Sequence, residues 1–307
     1  MNKKKFYSNG KLLITAEYVV LDGAKALAIP TKYGQDLIVE KTEDIKNKII
    51  WKSIDYDGAP WFEDTITFDE ISSKIKNENQ QIVKNKLIEI LHYAYLDNPL
   101  FLEKNLGYKI TSHLSFPKNW GLGTSSTLIN NIATWLNVNP YKLLENTFGG
   151  SGYDIACAQN NTPIIYQLTA NKPIVKNVKF YPVYKEYIYF VYLNIKKSSK
   201  EALVDYYSKQ QNAYKYIDKI NAITQDILNS QRGSELAQLI EKHEYLMSDI
   251  LETSTIKELL FNDFEGSIKS LGAWGGDFIM VVSKNNPKKY FEERGFTTIL
   301  SYDEMVL

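Results

Sequence analysis

"SFPKNWGLGTSSTLINN", Ser115 to Asn131, sets a proline, two closely spaced glycines and the hydroxyl residues Thr124, Ser125 and Ser126 at the entrance of an amphipathic helical stretch. Gly121 and Gly123 give the backbone access to positive φ and let N–H groups approach a ligand closely. Thr124, Ser125 and Ser126 fall where the first turn of a helix leaves N–H donors without intrahelical partners. Two readings fit the segment taken alone. It is a Thr/Ser-capped helix after a tight turn, or an anion site in which orphan donors and the helix dipole hold phosphate. In the second reading the hydroxyls can also ligate Mg²⁺, although no Gly-Lys-Ser/Thr follows the glycines to make a Walker A sequence.

The chain around this segment has 307 residues, enough for one large domain or two ordinary ones. Hydrophobic residues at 44% and charged residues at 23% are those of a folded globular protein. Basic and acidic residues balance at 36 each, so no global field draws in nucleic acid or an anionic membrane. A local basic pocket for a small anion stays open, and lysine must supply it, because Arg232 and Arg294 are the only arginines. Cys157 is the sole cysteine, which excludes an intrachain disulfide framework and makes a reducing compartment the default. The start "MNKKKFYSNG" is basic but has no apolar run behind it, unlike a signal peptide. "YIYFVYL", Tyr187–Leu193, falls far short of the roughly 18 apolar residues of a membrane span. The expectation is a cytoplasmic protein with no membrane partner.

Upstream of the opening segment, "KLLITAEYVVLDGAKALAIPTKY" reads as two strands around an Asp22-Gly23 hairpin turn. β-rich runs follow at "DLIVEKTED", "KIIWKSID" and "DTITF", with Asp57-Gly58 as a second turn. A helical stretch spans about Ser72 to Tyr95, and "GYKITSHLSF" is a strand that delivers the chain to Pro117. Downstream, helices are expected at Thr124–Leu136 and from Asn139-Pro140 through Glu145, and "FGGSGYDIACAQ" is a glycine loop entering a short helix. Past Asn171 come strands at "IVKNVKFYPV" and "YIYFVYLNI", helical stretches at about Glu201–Asn229 and Ser234–Glu252, and a buried strand "DFIMVVS". Strands and helices interleave without strict βαβ alternation, which predicts an α+β architecture in two halves, 1–170 and 171–307.

Three further segments carry candidate chemistry. In "FGGSGYDIA", Asp154 lies just past three glycines at a helix start, where the dipole favours a carboxylate whether or not it is catalytic. "SLGAWGGDFIMVV", Ser270 to Val282, is a glycine loop emptying into an apolar strand, either a tight turn or a wall beside a nucleotide. In "SNGKLLITAEYVVLDG", Lys11 heads a strand and Glu17 interrupts an apolar run. Each is equivocal alone; their order and combination are not.

That combination resembles the GHMP kinase superfamily, named for galactokinase, homoserine kinase, mevalonate kinase and phosphomevalonate kinase. "PKNWGLGTSS", Pro117–Ser126, is similar to its Pro-x-x-x-Gly-Leu-Gly-Ser-Ser motif, "GKLLITAEYVVLDG" to its first motif, and "GAWGGD" to its third. The resemblance implies an N-terminal α+β domain of the ribosomal protein S5 domain 2 type and a C-terminal ferredoxin-like α+β domain. It implies ATP and Mg²⁺ as cofactors. Gly121, Leu122, Gly123, Thr124, Ser125 and Ser126 would hold the ATP phosphates, and Ser125, with Glu145, would ligate the metal. Lys11 and Asp154 would be catalytic, and Gly272, Ala273, Gly275 and Gly276 would form the third-motif loop. Glu17, Ser151, Gly152, Ser198, Ser199 and Lys200 would face the acceptor.

Glu17-Tyr18, "GSGYDIA", the Gly-Gly-Asp ending of "GAWGGD" and "KKSSKEALV" resemble phosphomevalonate kinases in particular. The expected reaction is therefore ATP-dependent phosphorylation of phosphomevalonate in the mevalonate pathway, by a monomer or homodimer whose partner is a small-molecule acceptor and not nucleic acid. A mevalonate or sugar kinase of the same fold is the alternative within the class, and a catalytically silent ligand sensor the alternative outside it. Three positions depart from the motifs: Asn9 replaces a proline, Ala16 a glycine, and Trp274 a third-motif glycine. An indole at a phosphate-lining turn would narrow the nucleotide site or stack on its contents.

Overall fold

Two left-handed residues decide how the chain begins. β1 (Asn2–Leu13) and β2 (Ala26–Thr42) pair with each other, but not through the expected Asp22-Gly23 hairpin. Ala16 and Tyr18 hold φ of +66° and +62°, values that no strand of L-residues contains. β1 therefore stops at Leu13, and Val19–Asp22 wind into a 3₁₀ turn that Gly23 ends at φ +89°. The computed structural model describes residues 2–75, 82–195, 199–272 and 274–307. They divide into two units: Met1–Gly10, Tyr33–Lys118 and Gly123–Gln159 in the first, and Lys11–Lys32, Asn119–Leu122 and Asn160–Leu307 in the second.

In the first unit the strand order is β4 (Pro60–Thr67), β3 (Lys48–Ile54), β5 (Gly107–Leu114), β2. β4 and β3 are antiparallel, β3 and β5 parallel, β5 and β2 antiparallel. The β3–β4 connection is the expected Asp57-Gly58 turn: Gly58 takes φ +84°, and Asp57 Oδ1 accepts the Ala59 N–H at 2.9 Å. The helical stretch expected from Ser72 is divided. α1 (Phe68–Ser72) is closed by a Thr67/Glu70 capping box, and α2 runs over Ile82–Asp97. α3 (Thr124–Leu136), α4 (Pro140–Thr147) and α5 (Tyr153–Gln159) follow where the sequence places them. Asn139 caps α4 by accepting from the Tyr141 and Lys142 N–H groups, ahead of Pro140 in the first turn. The core joins Leu87, Ile90 and Leu91 of α2 and Ile129 and Ile132 of α3 to Leu37, Trp51 and Ile110 of the sheet. Each such side chain contributes about 1.5–3 kcal/mol on burial.

The second unit pairs the start of β2 with β6 (Ile164–Thr169), and β6 with β7 (Lys172–Asn177), an edge strand exposed at every residue. A separate antiparallel sheet has the order β11 (Ile299–Ser301), β8 (Ile188–Tyr192), β10 (Phe278–Val282), β9 (Ser267–Ser270). β9 and β10 are buried throughout, as the apolar run predicts for β10. The helices of this unit are α6 (Ser199–Ala213), α7 (Ile217–Asn229) and α8 (Gly233–Leu251). The stretch expected as one helix from Glu201 to Asn229 is broken by a 3₁₀ turn at Tyr214–Tyr216. Both units mix sheet and helix, the α+β class expected. Among the described residues no helix is long and apolar enough to cross a membrane.

Gly107 opens β5 where no side chain fits: a Cβ there would lie 2.3 Å from the Ile45 carbonyl oxygen and 2.7 Å from that of Lys48. Backbone cannot yield as a flexible side chain does. Gly107→Ala should cost about 1–3 kcal/mol, measured by urea denaturation, and an unchanged midpoint would contradict this packing.

Candidate functional site

In the first unit, α3 begins without the side-chain cap that the first reading of its sequence requires. Its N-cap is Gly123, in the left-handed region at φ +96°, and among the described residues no side chain caps the first turn. The hydroxyls turn the other way. Ser126 Oγ donates to the Gly123 carbonyl at 2.8 Å, and Thr127 Oγ1 lies 3.0 Å from the carbonyls of Gly123 and Thr124 and 2.7 Å from Gln35 Oε1. The Ser126 and Thr127 hydroxyls are thus spent on acceptors, and the first-turn N–H groups of Thr124, Ser125 and Ser126 sit at the positive end of the helix dipole. Ser126 is buried and Ser125 exposed.

A buried polar ladder fixes α3 in place. Ser8 Oγ donates to Asn131 Oδ1 at 2.8 Å, Asn130 Nδ2 to Ser8 Oγ at 2.9 Å, and Asn131 Nδ2 to the Gln35 carbonyl at 2.8 Å. Gln159 Nε2, at the end of α5, reaches Asn130 Oδ1 at 2.9 Å. One network therefore sets both α3 and the helix that carries Asp154. Asp154 is the second residue of α5, half-buried, behind a loop with positive φ at Gly149, Gly150 and Gly152. Ser151 and Gly152 belong to that turn, and Gly152 accepts the Ala156 N–H at 3.1 Å. Lys86 braces its entrance by donating to the Thr147 carbonyl at 3.1 Å. Glu145 lies on the exposed side of α4.

In the second unit, Asn119–Leu122 is anchored on the small sheet. Trp120 packs edge-on to Phe278, centroids 5.4 Å apart, and Tyr192 Oη donates to the Asn119 carbonyl at 2.9 Å. Lys11 grips the same segment twice: its N–H donates to the Leu122 carbonyl at 3.0 Å and its Nζ to the Gly121 carbonyl at 3.2 Å. Lys11 and the glycine loop, more than a hundred positions apart in sequence, are therefore brought together. Gly272 and Gly275 of the third motif take positive φ, and Gly276 is buried. Ala273 and Ser198 lie outside the described residues, while Ser199 and Lys200 open α6. Trp274 does not project as an obstacle. Its indole is buried, with Nε1 donating to the Ser254 carbonyl at 3.3 Å, and its backbone N–H donates to Tyr18 Oη at 2.9 Å.

Glu17 is 1% exposed and forms an ion pair with Lys269, itself 0% exposed. Lys269 Nζ also donates to the Ser270 carbonyl at 2.9 Å and lies 3.9 Å from Glu244 Oε2. Glu244 Oε1 accepts from the Ser270 N–H and hydroxyl at 3.1 and 2.8 Å. His243 Nε2 accepts the Ala16 N–H at 2.9 Å, so this nitrogen is unprotonated. Burial holds the His243 pKa well below its ordinary range, with Lys269 adding to the effect. Burial pushes the Glu244 carboxyl up to about 7 against the opposing pull of Lys269, and raises Glu17 against the same pull. Sequence reasoning missed Lys269, His243 and Glu244. The available signals were a lone lysine inside the short strand "SIKS" and a His-Glu pair interrupting the buried stripe Leu236, Ile240, Met247, Ile250 of α8.

These shifts set a pH dependence. An acid whose folded pKa exceeds its unfolded value binds more protons in the native state. Glu244's contribution is then complete below the ordinary glutamate value of 4.5 and is lost as pH rises through about 7. Glu244→Gln keeps an acceptor for Ser270 and removes the ionisation. Thermal melts across the range between about pH 5 and 8 should fall less steeply for the variant than for wild type, and equal slopes would contradict this assignment.

No protein-family model and no curated protein sequence matches this chain. Solved structures do. A Lin0012 protein from Listeria innocua matches with a TM-score of 0.74 at 17% identity over 97% of each chain. The Methanococcus jannaschii mevalonate kinase matches with a TM-score of 0.68 at 17% identity, again over 97% of each chain. The Streptococcus pneumoniae phosphomevalonate kinase, solved with phosphomevalonate and AMPPNP, gives 0.66 at 14% identity over 97% of this chain and 99% of that one. At such identities the likeness carries the fold: this chain has the α+β fold of the mevalonate and phosphomevalonate kinases, the architecture that its motifs imply.

Proposed function

We propose that the protein is an ATP-dependent small-molecule kinase of the GHMP type. The observation that carries this reading is the α3 entrance, capped by a left-handed glycine, where the Ser126 and Thr127 hydroxyls bond carbonyls rather than the first-turn N–H groups, which would be left for an anion. Phosphoryl transfer asks a protein mainly for positioning and charge stabilisation. The first-turn N–H groups at Thr124–Ser126 would bind phosphate oxygens. Lys11, held on the Gly121 carbonyl, would counter charge on the transferring group. Asp154 would orient the acceptor oxygen from the start of α5.

Mg²⁺ would offset phosphate charge. Ser125 is exposed where such a metal could take its hydroxyl. Among the described residues no three acidic, His or Cys side chains are grouped to hold a metal by themselves. The ion would draw most of its ligands from phosphates and water, as Mg²⁺ commonly does.

Phosphomevalonate is the acceptor we favour, on the Glu17-Tyr18, "GSGYDIA" and Gly-Gly-Asp sequences. A phosphate monoester has a second pKa of about 6 and is mostly dianionic at neutral pH. For it Asp154 would serve more to align than to deprotonate, and the main difficulty is bringing two anions together. Mevalonate or a sugar would need deprotonation of a hydroxyl instead. A silent sensor on the same fold would bind nucleotide without turnover.

An ADP-release screen with phosphomevalonate, mevalonate, homoserine and galactose separates these readings. Turnover is expected with phosphomevalonate. Lys11→Ala and Asp154→Asn should each lower kcat by about 10²–10³-fold while leaving the thermal midpoint nearly unchanged. ATP binding without ADP release for any acceptor would favour the sensor, and full activity of Lys11→Ala would remove Lys11 from the mechanism.

A further inference from the structure

Asp277 ends the third-motif sequence "GAWGGD", and the kinase reading gives it no task. Its backbone holds φ +50°, a conformation that glycine populates freely and an L-residue adopts only at a cost. Nothing lets it relax. Its N–H donates to the Ile195 carbonyl at 2.8 Å, and its own carbonyl accepts the Leu193 N–H at 2.8 Å, which ties it to the chain leaving β8. The residues around it include Gly272, Gly275 and Gly276, so glycine is plentiful in this loop and yet absent from the position that would use it.

The side chain accounts for the strain. A Cβ added to Gly121 would fall 2.1 Å from Asp277 Oδ2 and 2.3 Å from its Cγ. The carboxylate therefore fills the space beside the α-carbon of Gly121, which itself sits at φ +68°. The opposite constraint acts on the same residue, since Lys11 Nζ holds the Gly121 carbonyl at 3.2 Å. Trp120, one position earlier, is wedged against Phe278, one position after Asp277. Second and third motifs are thus locked side by side through consecutive residues.

We propose that Asp277 is a positioning residue for the phosphate loop: its carboxylate, pressed against Gly121, holds the Asn119–Leu122 half of the loop in the shape that accepts a nucleotide's phosphates. The inference rests on the kinase reading and adds to it a residue that need not touch the nucleotide. It acts by shape, so a side chain of the same size should replace it and an absent one should not.

The test compares AMPPNP affinity by isothermal titration calorimetry for wild type, Asp277→Gly and Asp277→Asn. Asp277→Gly relieves the backbone strain, so its thermal midpoint should equal or exceed that of wild type. Its AMPPNP affinity should nevertheless fall by about tenfold or more, the scale of effect expected when a reacting group is misplaced. KM for the acceptor should not change. Asparagine tolerates the left-handed region and matches the shape, so Asp277→Asn should bind within about threefold of wild type. Equal affinity for Asp277→Gly and wild type overturns the inference, and so does an Asp277→Asn loss as large as that of glycine, which would mean that charge rather than shape is used. If Asp277→Gly melts early, a double-mutant cycle with Gly121→Ala decides: the cost of Gly121→Ala should shrink in the Asp277→Gly background, and additivity overturns the proposal. A wild-type protein that binds no AMPPNP refutes the kinase reading first and this inference with it, an outcome distinct from variants that bind as well as wild type.

Discussion

An ammonium group removed from water must be enclosed by counter-charge, and the second unit is arranged around one such group. Lys269, wholly buried in β9, is met by Glu17 from the turn after β1 and by Glu244 from α8. Taking Glu17 inward obliges the chain to reverse within a few residues, and Ala16 and Tyr18 on either side of it are both left-handed. His243 accepts the Ala16 N–H and holds the reversal from behind. Tyr18 is left with its hydroxyl against the Trp274 backbone and its ring stacked on Tyr206 at 5.5 Å. A buried ion pair is weak evidence for stability, because desolvation offsets most of its attraction. What the contacts do is tie the path of the first motif to β9 through Glu17 and to the third-motif loop through Tyr18.

The sequence was most legible where the physical cause was local. α3, α4, α5 and the Asp57-Gly58 turn rest on caps, glycines and periodicity within a few residues, and all lie where those signals put them. The Asp22-Gly23 hairpin failed because its fate depended on residues more than two hundred positions away, His243 and Lys269. The long helical stretch of the second half failed at Tyr214–Tyr216, where no glycine or proline marks the break. In the candidate site the glycines and hydroxyls of the opening loop could be read directly. What they do could not, since a serine donating to a carbonyl and one capping an N–H look alike in sequence. Asp277 against Gly121 was invisible for a related reason: a carboxylate following two glycines gives no hint of which distant α-carbon it will press upon.

Trp274 shows how such a fold absorbs change. Motif resemblance makes an indole at a glycine position an obstruction, but the side chain turns into the protein and bonds Ser254, leaving only its N–H at the turn. Ala16 meets its demand differently, keeping the left-handed backbone that a glycine would supply at no steric cost. Interiors tolerate extensive substitution where volume and pattern are kept. That tolerance is consistent with a fold shared at 17% identity over nearly whole chains.

β7 has a consequence of another kind. It closes one side of its sheet with every residue exposed, and its outer row of backbone groups is a ready template for another strand. Its sequence, "KPIVKN", answers that hazard. Pro173 withholds a donor, and Lys172 and Lys176 set like charges where an incoming copy of the same strand would lie. Lys172, Pro173 and Lys176 are residue types that disfavour edge-to-edge pairing, and they flank the solvent-exposed Ile174 and Val175.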